Sequence, residues 1–401
     1  MNGERLMTPK FSLPKKKAVI FWPVGTADST TLILRPNDIV MQIDLHHMAK
    51  ADDHDETEWP IIDHLVEILP KRNGKPYLAL FVLTHPDQDH IKGFKELLQK
   101  VQIGELWHTP RIFRDQTNQE TLCEDAKAFR QEARRRRNAI LAKPNSVQSG
   151  DRLRIIGHDD ILTEEKYIKL PGNCKSRPGE IVSVVDENNL KGHFEAFIHA
   201  PFKDDQAKDK NNTSVALNIV LFEDGQYGQF MFFGDREYTT IKRIFEATEK
   251  GQTNQRYLDW NVMLSAHHCS KAVMYYKDES DSEESLKQDI MDIFDKYSRP
   301  NASYIIASSS SNFTDGEGDN PPHRKARHQY EKLVKAGRFI CTHEYPSKSS
   351  PAPLVFTVDG NGFSFDDQRK STQGPAGLAA AVAAARGHVA PPNKQTTFGH
   401  V

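Results

Sequence analysis

A continuous apolar run, Tyr77–Leu83 (YLALFVL), ends directly on Thr84-His85-Pro86-Asp87-Gln88-Asp89-His90. A strand that is apolar on both faces must be buried on both, so the sheet that holds it has to be covered on each side. After the polar loop, Ile91, Phe94, Leu97, Leu98 and Val101 recur at helical spacing, and IGELWH (103–108) reads as another strand. The repeating unit is strand, loop, helix, strand, with the chemistry-bearing side chains in the loop.

The rest of the chain follows the same alternation. Three short apolar runs, 18–22, 30–35 and 39–45, are separated by Gly25 and by the Pro36-Asn37-Asp38 turn, and they predict consecutive strands. Residues 60–69 predict a helix opened by proline, and 118–142 are helical in composition. In the second half, strands are expected at 193–200, 213–222, 228–233, 260–266, 304–308, 338–342 and 354–358. Helices are expected at 236–248 and near 322–336. The fold class is α/β. The domain layout expected is a flexible lead-in at 1–17, a main domain at 18–365 with a basic helical insertion at about 109–150, and a flexible Ala-rich tail at 366–401. The acidic stretch 278–285 within the domain reads as a solvated loop.

Charge and composition remove several function classes. The 401 residues carry 53 Lys and Arg against 55 Asp and Glu, so no global field draws the molecule onto nucleic acid or anionic lipid, and such binding must come from local patches. No run approaches the ~18 apolar residues of a membrane span, and the N-terminus lacks the pattern of a signal peptide, so a cytoplasmic protein without membrane contact is expected. Cys123, Cys174, Cys269 and Cys341 are far apart and form no CxxC pair, against a disulfide scaffold or a thiolate zinc site.

The 17 histidines cluster with carboxylates. In an extended loop alternate side chains point the same way, so His85, Asp87 and Asp89 can converge while His90 turns back from the start of the helix. Imidazole nitrogen with carboxylate oxygen is a ligand set for zinc or manganese. Asp235 in MFFGDRE, and His267 and His268 in VMLSAHHCSK, repeat the pattern of ligand-type residues directly after an apolar strand. One His-Asp pair would read as surface histidine beside turn-forming aspartate. Three occurrences of one pattern read as a metal site.

With these residues in place the chain resembles the metallo-β-lactamase fold superfamily, and within it the branch of ComEC-type competence proteins. The resemblance rests on THPDQDHIKG (84–93), NNTS (211–214), FGD (233–235), AHHCS (266–270) and PPHRK (321–325), with VGTADSTTLIL (24–34) and MQIDLHH (41–47) as the opening hairpin. It implies an αββα sandwich, two mixed sheets packed face to face with helices outside. It also implies two divalent metal ions, with His85 and Asp87 on one, Asp89 and His90 on the other, and Asp235 bridging them. His267 or His268 completes the second ion's shell. Zinc is the metal expected, with manganese or magnesium as alternatives, because an aspartate stands at Asp87 where the family has a histidine. A further family histidine has His199 and His108 as candidates. Asp89 is the expected proton acceptor, and His323 or the second member of the histidine pair the group that binds an oxyanion or protonates the leaving group.

The activity implied is a metal-dependent hydrolase, a dinuclear phosphodiesterase or nuclease using a metal-bridged hydroxide on a nucleic acid or nucleotide substrate. Basic clusters at Lys15–Lys17, Arg134–Arg137 and Lys203–Lys210 are candidate phosphate contacts, with Arg134, Arg135, Arg136 and Arg137 taken as substrate-binding. Four consecutive residues, each about 100° from the last, spread over roughly 300° of the helix surface, so these arginines cannot share one face. Two other readings stay open: hydrolysis of a small ester, thioester or lactone on the same metals, and a non-catalytic, metal-stabilised module that binds a protein partner in a multi-component system.

Overall fold

The computed structural model describes residues 11–47, 59–113, 122–202, 211–251, 253–299, 301–316 and 318–371. The principal strands in chain order are β1 (Lys17–Phe21), β2 (Thr30–Arg35), β3 (Ile39–Ile43), β4 (Lys75–Val82), β5 (Gln102–His108), β6 (Arg152–Ile156), β7 (Lys175–Ser176), β8 (Ile181–Val182) and β9 (Phe194–Ala200). They continue with β10 (Ala216–Glu223), β11 (Gln226–Phe232), β12 (Val262–Leu264), β13 (Tyr304–Ala307), β14 (Phe339–Cys341), β15 (Leu354–Asp359) and β16 (Gly362–Phe365). The longer helices are α1 (Ile61–Ile68), α2 (Phe94–Lys100), α3 (Glu124–Ala142), α4 (Tyr238–Lys250), α5 (Gln288–Tyr297) and α6 (Arg324–Leu333).

Two mixed sheets result. The first runs β16-β15-β1-β2-β3-β4-β5-β6-β7, antiparallel through β3 and parallel from β3 to β7. The second runs β14-β13-β12-β11-β10-β9-β8, parallel from β14 to β11 and antiparallel beyond. Val19, Phe21, Leu32 and Leu80 of the first sheet share one core with Ile198, Leu217, Phe230 and Val262 of the second, so the sheets pack face to face. The outer face of the first sheet is covered by α1, α2 and α3 through Leu65, Phe94, Leu97 and Phe129. The outer face of the second is covered by α4, α5 and α6 through Ile241, Phe245, Phe294 and Tyr330. The layers are helices, sheet, sheet, helices, the αββα order that the resemblance implies.

Several expectations are corrected. Phe11 packs edge-on against Trp22, with ring centroids 5.0 Å apart, and Lys17 is buried inside β1, so ordered packing reaches back into the stretch read as a flexible lead-in. At the other end, the Asp366 N–H donates to Val355 O and a short helix occupies Gln368–Ser371, so the stretch read as the tail begins docked. Residues 1–10, the rest of the tail (372–401) and the basic cluster Lys203–Lys210 lie outside the described residues. The helix expected over 91–101 breaks at Gly93, whose φ of +94° and contact with His47 leave no room for a side chain: a Cβ there would stand 2.5 Å from His47 Cβ.

The segment read as a basic insertion proves to be the connection between β5 and β6. Parallel neighbours need a crossover of a dozen or more residues, and α3 supplies it. Its buried positions, Ala126, Phe129, Ala133, Arg136 and Ile140, are three or four apart and form one stripe against the first sheet. Phe129 meets Phe94 at 4.9 Å, and Asp125 accepts the Gly93 and Lys95 N–H groups. The helix therefore belongs to the outer layer. The acidic stretch 278–285 forms the largely exposed loop of a small hairpin between Tyr275–Tyr276 and Ser285–Leu286.

Candidate metal centre

β4 ends at Val82, and the Thr84 backbone N–H and hydroxyl both donate to the Asp44 carboxylate, at 2.8 and 2.6 Å. This anchor fixes the start of the loop that carries His85, Asp87, Asp89 and His90. The Val215 N–H donates to Thr84 O and so ties the same point to the second sheet. Asp235 follows Gly234 beyond β11, and His267 and His268 follow β12. All these residues sit at the carboxyl ends of strands, where the two sheets face each other.

Asp235 is the centre of the arrangement. Its Oδ1 lies 3.1 Å from His90 Nε2 and 3.6 Å from His268 Nε2, and its Oδ2 lies 3.6 Å from His85 Nε2 and 3.7 Å from His267 Nε2. Asp89 joins the first group, 3.1 Å from His268 Nε2 and 3.9 Å from His90 Nε2. Asp87 joins the second, 3.8 Å from His85 Nε2. Ligands about 2.1 Å from a tetrahedral zinc ion are roughly 3.4 Å from one another, so spacings in this range suit one shared ion on each side of the carboxylate. His85 Nε2, His90 Nε2 and Asp235 Oδ1 are buried and have no hydrogen-bond partner, a costly condition that a cation in their midst relieves. The residues fit a divalent metal.

Two further carboxylates, unassigned in the sequence reading, stand behind the histidines. Asp44 Oδ2 is 2.7 Å from His90 Nδ1, and Asp28 Oδ1 is 3.4 Å from His268 Nδ1. A carboxylate on Nδ1–H leaves the Nε2 lone pair facing inward, the usual support of a metal-binding histidine. Asp28, His90, Asp235 and His268 also form a compact group of potential ligands, as do His85, Asp89 and His90. The sequence signal was present: Asp44 is the lone carboxylate closing an apolar strand in MQID, and Asp28 sits in the loop between β1 and β2.

Burial and charge compete across the site. Burial opposes charge on His90 and His268, yet the carboxylates around them hold both imidazoles well above the ordinary histidine range. His85 goes the other way, its burial and the neighbouring His90 pulling it down to about 4. Asp235 is buried but stays well below the usual carboxylate range, because His90, His268 and His85 surround it. The backbone beneath the pair is strained: His267, His268 and Cys269 have φ of +49°, +50° and +68°, all in the left-handed region that non-glycine residues avoid. Hydrogen bonds hold the turn, from His267 N–H to Gly234 O and from His323 N–H to Cys269 O.

His268 and His90 face the same oxygen of Asp235, Oδ1, with Asp89 beside them. His267, partly exposed and facing Asp235 Oδ2, stands on the His85 side. His199 and His108 are elsewhere. His199 bonds Thr248 and Tyr257 O, and His108 donates to Thr109 O and packs on Phe113 and Phe129. His323 accepts the Lys271 N–H at Nδ1 and donates from Nε2 to Asp319 O. With both ring nitrogens used, His323 braces the turn that follows the histidine pair in this structure.

The four arginines diverge, as helix geometry requires. Arg136 is buried and donates to Glu132, Gly104 O, Arg152 O and Ile103 O, a structural use that corrects its expected place in a phosphate-binding cluster. Arg135 is exposed but held by Glu132 and Asp151, Arg137 lies over Phe113, and Arg134 is exposed. Among the described residues no helix is long and apolar enough to cross a membrane.

No protein-family model matches this chain, and no curated protein matches it. Among solved structures, the chain is similar to one described as a new diphosphatase from the PhnP family, at 10% identity and a TM-score of 0.31, over 85% of this chain and 97% of that one. So slight a likeness transfers no residue role.

Proposed function

We propose that this chain is a metal-dependent hydrolase of phosphodiesters, acting on a nucleic acid or nucleotide with two divalent ions at the His/Asp centre. The observation that carries the reading is the two-sided Asp235, each oxygen facing its own pair of imidazole nitrogens and its own aspartate. Bound ions at such a centre supply Lewis acidity and an activated water at neutral pH.

The chain's own residues do the rest. Asp235 fixes the separation of the two halves. Asp28 and Asp44 hold His268 and His90 with Nε2 inward. Asp89 and Asp87, each about one-third exposed, are the carboxylates that a water or a substrate proton can reach. His267, partly exposed, completes the pair of imidazoles on the Asp235 Oδ2 side, with its Nδ1 3.7 Å from Glu237. A set with three aspartates is oxygen-rich, which suits hard ions and phosphoryl oxygen and keeps manganese and magnesium beside zinc as the metal.

The test is elemental analysis of the purified protein together with cleavage of single-stranded DNA, duplex DNA and RNA in manganese, magnesium or zinc, beside an Asp235→Ala control. Cleavage that the control loses supports the proposal. Metal with turnover of small esters, thioesters or lactones and none of phosphodiesters would replace it with that hydrolase. Tightly held metal with no turnover at all would replace it with a partner-binding module.

A further inference from the structure

The space between the sheets changes character toward the β7 edge. Across β1–β4 it is filled by apolar side chains, but at β5 and β6 the inward positions are Glu105, Trp107, Arg152 and Arg154, with Glu105 beside Arg152 and Trp107 beside Arg154 in register. Here the chain passes from β7 to β8, the edge strands of the two sheets. A cavity of about 490 Å³ lies between them.

Its carboxylates are engaged within the protein. Glu105 accepts from Trp107 Nε1 and the Asp186 N–H, Glu180 pairs with Arg177, and Glu187 pairs with Arg152. Two cations on the wall are less fully matched. Arg154 is 8% exposed, lies over the Trp107 ring, gives one amino group to Ser176 Oγ at 2.8 Å and has Glu105 no nearer than 3.6 Å. Its Nε is buried with no hydrogen-bond partner. The Lys175 ammonium reaches the Ile168 carbonyl at 3.4 Å. Ile181 and Val184, also lining the cavity, leave 45% and 41% of their surface in water.

We propose that this cavity is a second binding site, apart from the His/Asp centre, for a small monocarboxylate with an aliphatic body. The carboxylate meets Arg154, Lys175 and the Ser176 hydroxyl, and the body covers Ile181 and Val184. With Glu187 on Arg152, Glu180 on Arg177 and Glu105 set against Arg154, Lys175 carries the one positive charge of the lining left over, so a single negative charge suits the wall, and a guanidinium fixed on an aromatic face presents its donors at low entropic cost.

The experiment is titration of the full chain with hexanoate, followed by ligand-observed NMR and calorimetry, beside 1-hexanol and inorganic phosphate. Hexanoate is expected to bind saturably, and the other two at least about tenfold more weakly. Lys175→Met and Ile181→Asp, both at the partly open wall, should each weaken hexanoate by about tenfold with bound metal unchanged, and Arg154→Met should weaken it further. Hexanol binding as tightly as hexanoate, phosphate binding more tightly, or wild-type affinity in both Lys175→Met and Ile181→Asp would each overturn the assignment.

Discussion

Asp28 stands behind His268: its Oδ1 is 3.4 Å from Nδ1, while Nε2 of the same ring faces Asp89 and Asp235. Asp44 accepts a hydrogen bond from His90 Nδ1 at 2.7 Å, whereas the longer Asp28 contact is an ion-pair approach without a hydrogen bond. Removing such a carboxylate frees the ring to turn and lowers ligand basicity. Asp28→Ala and Asp44→Ala should each reduce metal affinity by about 10- to 100-fold. Competition against a chromophoric chelator measures it, and wild-type affinity in both variants would refute the supporting role.

Asp235→Ala removes the carboxylate whose two oxygens face the two groups of histidines. Metal content should fall from about two equivalents to less than one, and turnover should vanish, with far-ultraviolet circular dichroism unchanged. His85→Ala should instead spare the ion on the His90 and His268 side. Equal metal loss in the two variants would point to one ion, not two.

Gly234 sets the direction of Asp235. Its φ is +58°, and a Cβ there would meet Ser214 Cβ at 2.8 Å. Gly234→Ala should cost about 1–3 kcal/mol from the backbone conformation, with overpacking added. Its urea midpoint should drop and its metal affinity should fall with it. A variant as stable as wild type that binds metal normally would mean that the turn has other room to relax.

Much of the centre was legible in the sequence because ligand-type residues there follow long apolar runs, which mark strand ends unambiguously. His85, Asp87, Asp89, His90, Asp235, His267 and His268 are all brought together. Asp28 and Asp44 were not singled out because one aspartate in the loop after a strand is locally indistinguishable from a turn residue, and only the tertiary approach of His268 and His90 gives it a partner. The first sheet was read short at its β7 edge for a related reason. β6 reads Arg-Leu-Arg-Ile-Ile, an alternation of only four residues in which arginines, not apolar side chains, face the other sheet, so its strand character shows only through its pairing with β5. The expected role of His323 came from its place in a motif, and its hydrogen bonds to the Lys271 N–H and Asp319 O, which tie it to the turn after the histidine pair, were not legible in the sequence.

Three buried histidines away from the centre set an acid limit on stability. Burial drives His108 and His343 down to about 4 and His199 to about 3, so all three are neutral in the fold at neutral pH. In the unfolded chain they take up protons near pH 6.5. The unfolded state therefore binds more protons below that value, and stability present above pH 6.5 is lost as the pH falls toward 4. Each contributes up to roughly 3 kcal/mol to the fall. His199→Gln should flatten the dependence of the melting temperature on pH between 6.5 and 4. A slope identical to wild type would exclude His199 from the effect.

The arginine run separates a structural use from a possible substrate contact within four residues. Arg136→Ala leaves Glu132 to Arg135 but takes the guanidinium donors from the carbonyls of Ile103, Gly104 and Arg152, and should destabilise by about 1–3 kcal/mol, the scale for stranding buried hydrogen-bonding groups. Arg134→Ala, on the exposed side of the same helix, should stay within about 0.5 kcal/mol of wild type. If α3 contacts a nucleic acid, Arg134 is its best placed member, since Arg135 is held by Glu132 and Asp151. Arg134→Ala should then weaken binding to single-stranded DNA and lower the slope of log affinity against log salt by about 0.7, the value for one phosphate contact. Metal content should not change. An unaltered slope would take the helix out of substrate recognition and leave the phosphodiester reading to rest on the His/Asp centre.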